Sequence, residues 1–523
     1  MTHPIRPDYT QTYLFPLSLE EFVPPDHPAR FIRAFVDSLD LKELGFCEEY
    51  EGIGRPKYSA DLLLKLVLYG YFHRIWSYRE LEVAGRNHIG ALWLTGWHYP
   101  DYTTIGRFIQ RNRERIEGVF KRCVRMAYEA GLVGMVVHAV DGTKVAAEVS
   151  QGKSLHRADL EAVLRRLDEV VEEKRGKGGE DIEEGLSYRM PEALQGEGKL
   201  EAFIRGGMKG EGLGGGESMG GEVVRGGGDL AGAGEVRCLE GEEEQEVRNR
   251  IEERRAEIQR QIKLLEESGT DHLNLVDRDA RMMKIKGRVV FGYNAQVVVD
   301  GDSGLIVGAD VVNRETDVGL LVKQIDRVKE TLGAVSAYQV ADGGYFSGEE
   351  LHKAEERGYR VVVPIRDKNW VEGGSGFGQV RFWYEEGRNV WICPAGGELK
   401  RSGGIRKKVE VAYKMYKCAA FRSCRVAHLC TKDKGRKVLA VSEYWEAIER
   451  QLKRQKDRWV QELMARRKQI VEPVFGVIKR VFGFRRWRFW GLEKVRAEWY
   501  WVCLAFNLRK LYRMWLEGRW QLA

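Results

Sequence analysis

Apolar residues at helical spacing open the chain. Phe31, Phe35 and Leu39 share one face of a helix predicted over 27–39, with Asp26 placed to cap it. Leu62, Leu63, Leu66, Val67, Tyr69, Tyr71 and Phe72 lie in a run over 62–75 that is apolar nearly all round, which predicts a helix buried in its own domain. Ser77 and Glu80 have the spacing of a capping box. Pro100–Thr104 precedes a further helix predicted over 105–128, whose first turns carry Arg107, Gln110, Arg111, Asn112 and Arg113. Short helices, a turn and a helix rich in Arg, Gln and Asn form the layout of a helix-turn-helix reader, since those side chains pair with base edges. A plain helical domain with a polar outer face has the same pattern. Residues 1–131 therefore read as one helical domain, helix-turn-helix-like and DNA-binding on the first of these readings.

The pattern then changes period. Val133–Val140 is a valine-rich run predicting a buried strand, which delivers Asp141-Gly142-Thr143 at its C-terminal end. Residues 154–174 and 242–268 return to charged helix, with Ile251, Ile258, Ile262 and Leu265 on one face. Between them, 175–240 is dense in glycine and too poor in apolar surface to offset the entropy of ordering, so a flexible loop is expected there. Residues 151–284 thus read as a helical arm. Strand patterns resume at 288–299, 305–312, 335–340 and 360–363, alternating with helices predicted over 316–332 and 348–357. That alternation indicates an α/β sheet, built from 132–150 and 285–365. Residues 366–440 look like an insertion with two strand-like runs and several cysteines, and 441–523 is mostly helical.

With 523 residues, 43% of them hydrophobic, the chain can bury large cores, which excludes a mainly disordered protein. Eight cysteines are ordinary usage and not a disulfide framework. No signal peptide or uncharged apolar span is visible, so a soluble, cytoplasmic protein is expected. The net charge of +7 is unevenly spread: 13 Lys and Arg against three acids lie between Arg450 and Arg488. A basic segment on a near-neutral chain suggests a polyanion partner, nucleic acid being the commonest; a solvated basic helix is the plainer alternative.

Asp141 and Asp342 each follow a short apolar strand and precede glycine. Functional groups in open sheets sit beyond the carboxyl ends of strands, although Asp-Gly is also an ordinary turn. A third carboxylate, Glu472, stands among five bases in 466–480. At 100° per residue Lys468, Glu472 and Lys479 share one helix face. Pro473 predicts a helix start or kink at that point.

These pieces together resemble a DDE transposase of a bacterial insertion sequence, in the insertion-sequence-four supergroup and nearest the family numbered eleven-eighty-two. The resemblance rests on Leu62-Leu63-Leu64-Lys65, Ser77-Tyr78-Arg79-Glu80-Leu81-Glu82, Asp141-Gly142-Thr143, Gly292-Tyr293-Asn294-Ala295-Gln296 with Val299-Asp300, Ala341-Asp342-Gly343-Gly344-Tyr345, Cys393-Pro394-Ala395-Gly396, Val471-Glu472-Pro473-Val474-Phe475-Gly476 and Asn507-Leu508, in this order. It implies a ribonuclease-H-like α/β core with Asp141, Asp342 and Glu472 as catalytic, metal-binding triad, and two Mg²⁺ or Mn²⁺ ions as cofactors. It also implies double-stranded DNA, as transposon ends and target, as substrate, with a homodimer expected on paired ends in the bacterial nucleoid. In the supergroup's pattern Tyr-x2-Arg-x3-Glu-x6-Lys, Glu472 and Lys479 match, while Lys468 replaces the arginine and Ala465 the tyrosine. Lysine keeps the charge but loses the planar fork. Two alternatives stay open: a related nuclease that cuts without joining, and a transposase-derived DNA-binding protein without catalysis.

Two further features carry paired readings. Cys393, Cys418, Cys424 and Cys430 could hold structural zinc, but their gaps exceed the usual Cys-x2–4-Cys pairs, and reduced buried thiols are the alternative. In Phe482–Trp490, Arg485, Arg486 and Arg488, with Lys468, Lys479 and Arg480 upstream, are expected to contact DNA phosphates, whereas the aromatics either stack on unpaired bases or pack a core.

Overall fold

The computed structural model describes residues 18–46, 57–150, 153–176, 241–365, 378–408, 411–430 and 437–520. The glycine-rich segment 177–240 lies outside them. Contacts divide the chain into two units, one of residues 1–145, 294–487 and 492–523, the other of 146–293 and 488–491.

The first unit opens on helices α1 (Pro28–Asp37), α2 (Ala60–His73), α3 (Tyr78–Asn87), α4 (Ile89–Thr95), α5 (Tyr102–Arg111) and α6 (Ile116–Glu129). α2 is buried on nearly every face, as its composition requires. Three expectations need correction. His27, and not Asp26, caps α1: its Nδ1 accepts the Ala29 N–H at 3.1 Å, because Pro28 at the first helical position moves the start one residue on. Ser77 stands at the N-cap of α3 but makes no side-chain capping bond. The long helix over 105–128 is two helices, interrupted where the Asn112 side chain bonds back to the Phe108 carbonyl at 2.8 Å.

Strand β1 (Val137–Ala146) leads into the second unit. There β2 (Ser154–His156) precedes two helices, α7 (Arg157–Gly176) and α8 (Gly241–Glu267), and pairs antiparallel with β3 (His272–Asn274). Leu155, Leu265 and Leu273 form a small buried cluster, and Arg255 meets Asp168 at 3.0 Å, so the two helices pack as a hairpin. β4 (Arg281–Ile285) turns tightly into β5 (Arg288–Asp300) through Lys286 and Gly287, both at positive φ, the turn a twisted two-residue hairpin demands.

The rest of the first unit holds β6 (Ile306–Val312), α9 (Leu321–Leu332), β7 (Tyr338–Ala341), α10 (Gly348–Glu356) and β8 (Val361–Val362). Its sheet runs β6-β5-β1-β7-β8, with β5 and β6 antiparallel and β1, β7 and β8 parallel. Further on, β9 (Trp383–Glu385), β10 (Val390–Ile392), β11 (Glu398–Lys408), β12 (Val411–Cys418) and β13 (Val438–Ser442) form an antiparallel five-stranded sheet, fuller than the two strand-like runs expected. After a short helix α11 (Ala427–Cys430), the chain ends in α12 (Trp445–Arg454), α13 (Arg458–Gly476), a π-helical turn at Val477–Val481 and α14 (Leu492–Leu516). α14 is locked to β6: buried Asn507 accepts the Ile306 N–H at 2.9 Å and donates to the Ile306 carbonyl at 2.7 Å, completing the backbone pairing of that strand. Among the described residues no helix is long and apolar enough to cross a membrane.

Candidate active site

Register sets the site. β1 and β7 are parallel with Val140 opposite Ala341, so Asp141 and Asp342 follow at matching positions on neighbouring strands. β7 stops there, but β1 does not: it runs on to Ala146, placing Asp141 within the strand and not at its end as expected. The strand persists because β5, on its other side, continues beside it.

The Asp141 side chain is 19% exposed. Burial pushes its carboxyl up to about 6, against the lowering pull of Arg467 and of the Gly142 N–H, and the charge of Asp342 adds to the rise. Oδ1 accepts from Gly142 at 2.9 Å and Oδ2 from Arg467 Nη1 at 2.7 Å. Asp342 Oδ1 accepts the Gly344 N–H at 2.6 Å, capping a single 3₁₀ turn that sends Tyr345 into the core. Gly142 is required by close approach: a Cβ there would lie 2.3 Å from Gln296 Nε2 and 2.8 Å from Asp317 Oδ1.

Two residues at this site were not singled out by the sequence. Arg467 lay inside a run of bases, yet with Val471 and Val474 it falls on the inward stripe of α13, a spacing that could have marked it as inward-facing. Asp317 was expected in a helix from Thr316, whereas the helix begins at Leu321 and Asp317 stands in the loop before it. Its Oδ1 accepts from Asn294 Nδ2 at 2.7 Å and Gln296 Nε2 at 2.9 Å. Gln296 in turn accepts from the buried Tyr345 hydroxyl. Burial, then the charges of Asp317, Asp141 and Asp342, keep that hydroxyl protonated well beyond its usual range.

Glu472 is exposed on α13. The helix neither starts nor ends at Pro473 but passes through it and loosens four residues later into the π turn. In that turn Lys479 Nζ bonds Thr143 Oγ1, two residues beyond Asp141. The segment that follows Glu472 is therefore tied to β1, through Lys479 in the π turn. Among the described residues, no three His, Cys, Asp or Glu side chains stand close enough to hold one metal ion. Asp141 and Asp342 are nevertheless paired hard oxygen donors, and the Arg467 guanidinium already occupies one of them as a cation. That donor chemistry fits Mg²⁺ or Mn²⁺.

Of the other expected contacts, Lys468, Arg480, Arg485, Arg486 and Arg488 are exposed, as are Arg107 and Arg111 on α5, with Gln110 half-buried. The aromatics between them divide: Phe482, Phe484 and Trp487 are core residues, and Trp490 is half exposed with its indole N–H on the Glu148 carbonyl at 2.9 Å. Cys393, Cys418, Cys424 and Cys430 are free thiols in one neighbourhood, where burial pushes Cys418 and Cys430 up and the other thiols add to it. Cys393 Sγ accepts the Gly397 N–H at 3.1 Å.

Among proteins of curated function none matches the chain. Two family models do: "Transposase domain (DUF772)" over residues 17–111, covering the helices through α5, and "Transposase DDE domain" over residues 392–512, covering α13 with Glu472 and Lys479. Both matches indicate a transposase.

Proposed function

We propose that the chain is a DNA transposase of the DDE kind, which cuts the ends of an insertion sequence and joins them to target DNA at the site built on Asp141 and Asp342. The observation that carries this is the register-matched pair of aspartates on β1 and β7, with the basic face of α13 pinned beside them by Lys479 and Thr143. The sheet order supports a ribonuclease-H-like core: an antiparallel β5–β6 pair on one side of β1 and two parallel strands on the other. Asp141, Asp342 and Glu472 are the residues to hold two divalent cations, which would stabilise charge on the attacking and leaving oxygens of an in-line displacement.

The chain's own residues do the rest. Arg467 neutralises Asp141 while no other cation is there, which keeps the buried carboxylate affordable. Lys468 and Lys479 meet backbone phosphates as point charges and Arg480 through its planar guanidinium, and Arg485, Arg486 and Arg488 extend that contact. Arg107, Gln110 and Arg111 on the helical domain read the terminal sequence. Two copies act on paired double-stranded ends in the cytoplasm. A structural zinc at Cys393, Cys418, Cys424 and Cys430 belongs to the same reading, supported by the N–H···S bond at Cys393; among the described residues these thiols do not stand as a ligand set.

A second reading has a specific observation behind it. Among the described residues the carboxylates do not gather into a set of three that could hold one ion, and Ala465 and Lys468 depart from the supergroup's pattern, as a DNA-binding derivative without catalysis would. The test is a cleavage and strand-transfer assay on duplexes carrying the element's ends, with Mg²⁺ and with chelator. Asp141→Asn, Asp342→Asn and Glu472→Gln should each abolish cutting and joining while duplex binding persists. Cutting without joining by the unaltered chain would favour a nuclease, binding alone would favour the derivative, and full activity in the aspartate variants would overturn the site.

A further inference from the structure

We infer that Asp317 is a positioning residue of the Asp141–Asp342 site, a third carboxylate held facing the pair by buried amides, whose charge helps retain the divalent cation. The inference rests on the reading of that site as cation-dependent.

Asp317 differs from an ordinary loop carboxylate in how it is held. Asn294 and Gln296, 1% and 0% exposed, alternate on one face of β5 and both donate to the same oxygen, Oδ1. Gln296 Nε2 also donates to Asn294 Oδ1 at 3.0 Å, and Gln296 Oε1 is taken by Tyr345, so the amide orientations are determined by their neighbours and not free to flip. With Oδ1 saturated by the two amides, Oδ2 is the oxygen left on the Asp342 side. The bare glycines mark where it points. A Cβ on Gly344 would lie 2.8 Å from Asp342 Oδ1 and 3.4 Å from Asp317 Oδ2, so both carboxylates border one small space. A Cβ on Gly142, beside Asp141, would strike Asp317 Oδ1 at 2.8 Å.

A loop that needed only an anchor for two amides could use a neutral acceptor. A carboxylate beside two others raises mutual repulsion and is unfavourable unless a cation relieves it. Mg²⁺ usually takes one or two carboxylates directly and keeps its remaining shell hydrated, so a third carboxylate can act by charge without being a direct ligand. This accords with the absence of three ligating side chains at contact distance among the described residues.

Asp317→Asn separates the two roles, because the carboxamide oxygen can still accept from Asn294 and Gln296 while the charge is gone. Mn²⁺ binding to the full chain without DNA is measured by the paramagnetic resonance signal of the free ion, beside the thermal midpoint. Asp317→Asn should weaken Mn²⁺ about 10-fold, as loss of supporting groups around a metal does, with the midpoint unchanged. Should that variant fold poorly, Asp317→Glu and Asp317→Gln form a second pair of equal length, and the charged one should bind Mn²⁺ more tightly. Equal affinity within either pair, while Asp141→Asn and Asp342→Asn weaken binding, overturns this inference alone. Unchanged affinity in the Asp141 and Asp342 variants overturns the reading of the site and this inference with it.

Discussion

Trp487 has no exposed surface; its indole N–H donates to the Val145 carbonyl at 3.0 Å, and its ring meets Phe484 and Trp499 edge-on. Flanked by arginines in sequence, it is a core residue in space. Trp487→Ala removes a large fully packed ring and orphans a buried carbonyl, so it should destabilise the chain by about 3–5 kcal/mol in chemical denaturation. A cost below about 1 kcal/mol would return Trp487 to the surface. His73 makes a second residue-scale prediction. Burial, with His27, His88, Arg509 and Arg74 as positive neighbours, pushes its imidazole down to about 4. Between pH 4 and 6.5 the unfolded chain takes up a proton there and the folded chain does not, so stability rises with pH across that window and is lost as pH falls below 6.5. His73→Gln removes that proton, and its thermal midpoint should fall less than the unaltered chain's from pH 7 to 4.5. Parallel curves would show that the imidazole does not sense its surroundings as described.

At the scale of elements, α13 and its π turn decide the reach of the basic face. Pro473 removes one backbone donor inside the helix, and the π turn that follows brings Lys479 to Thr143. Wide turns of this kind recur at functional sites because they re-aim a side chain out of helical phase. If Lys479 meets a phosphate when DNA is bound, Lys479→Ala should weaken binding to all duplex sequences alike and flatten the plot of log affinity against log salt by roughly one unit. Changes at Arg107 or Gln110 should instead alter preference among terminal sequences. An unchanged slope for Lys479→Ala would make the lysine a structural tie between α13 and β1.

At the scale of the first unit, buried Asp310 on β6 gathers cations from two helices. Arg496 meets it at 2.9 Å, Arg327 at 3.2 Å and Lys323 at 3.3 Å, and Arg327 also reaches Glu117 on α6 at 3.4 Å. One fully buried carboxylate thus joins β6, α9 and α14, and through Arg327 the N-terminal helices. Asp310→Ala would leave the partly buried Arg496 guanidinium without its carboxylate and Arg327 with Glu117 alone among these acids, and breaking a buried pair from one side typically costs about 3–5 kcal/mol. A loss under about 1 kcal/mol in a denaturant titration would show the network to be solvent-screened.

What was legible in the sequence is what short-range pattern carries. The apolar runs named the buried α2, the β5 and β6 strands and the two charged helices α7 and α8, since periodicity and propensity act within a few residues. The two Asp-Gly motifs marked strand positions that do lie side by side. Boundaries set by a single side chain's hydrogen bond, as at His27 and Asn112, were not legible, because alternatives one residue apart have nearly the same local energy. Nor was the choice of partners across long separations. Arg467 meets Asp141 across 326 residues, and Asp317 meets two amides on β5 only because the loop before α9 folds back on the sheet. The distinction between core tryptophan and exposed arginine in Phe482–Trp490 had the same origin: composition allowed both faces, and only the packing of that segment against β1 and α14 decided which side lost its water.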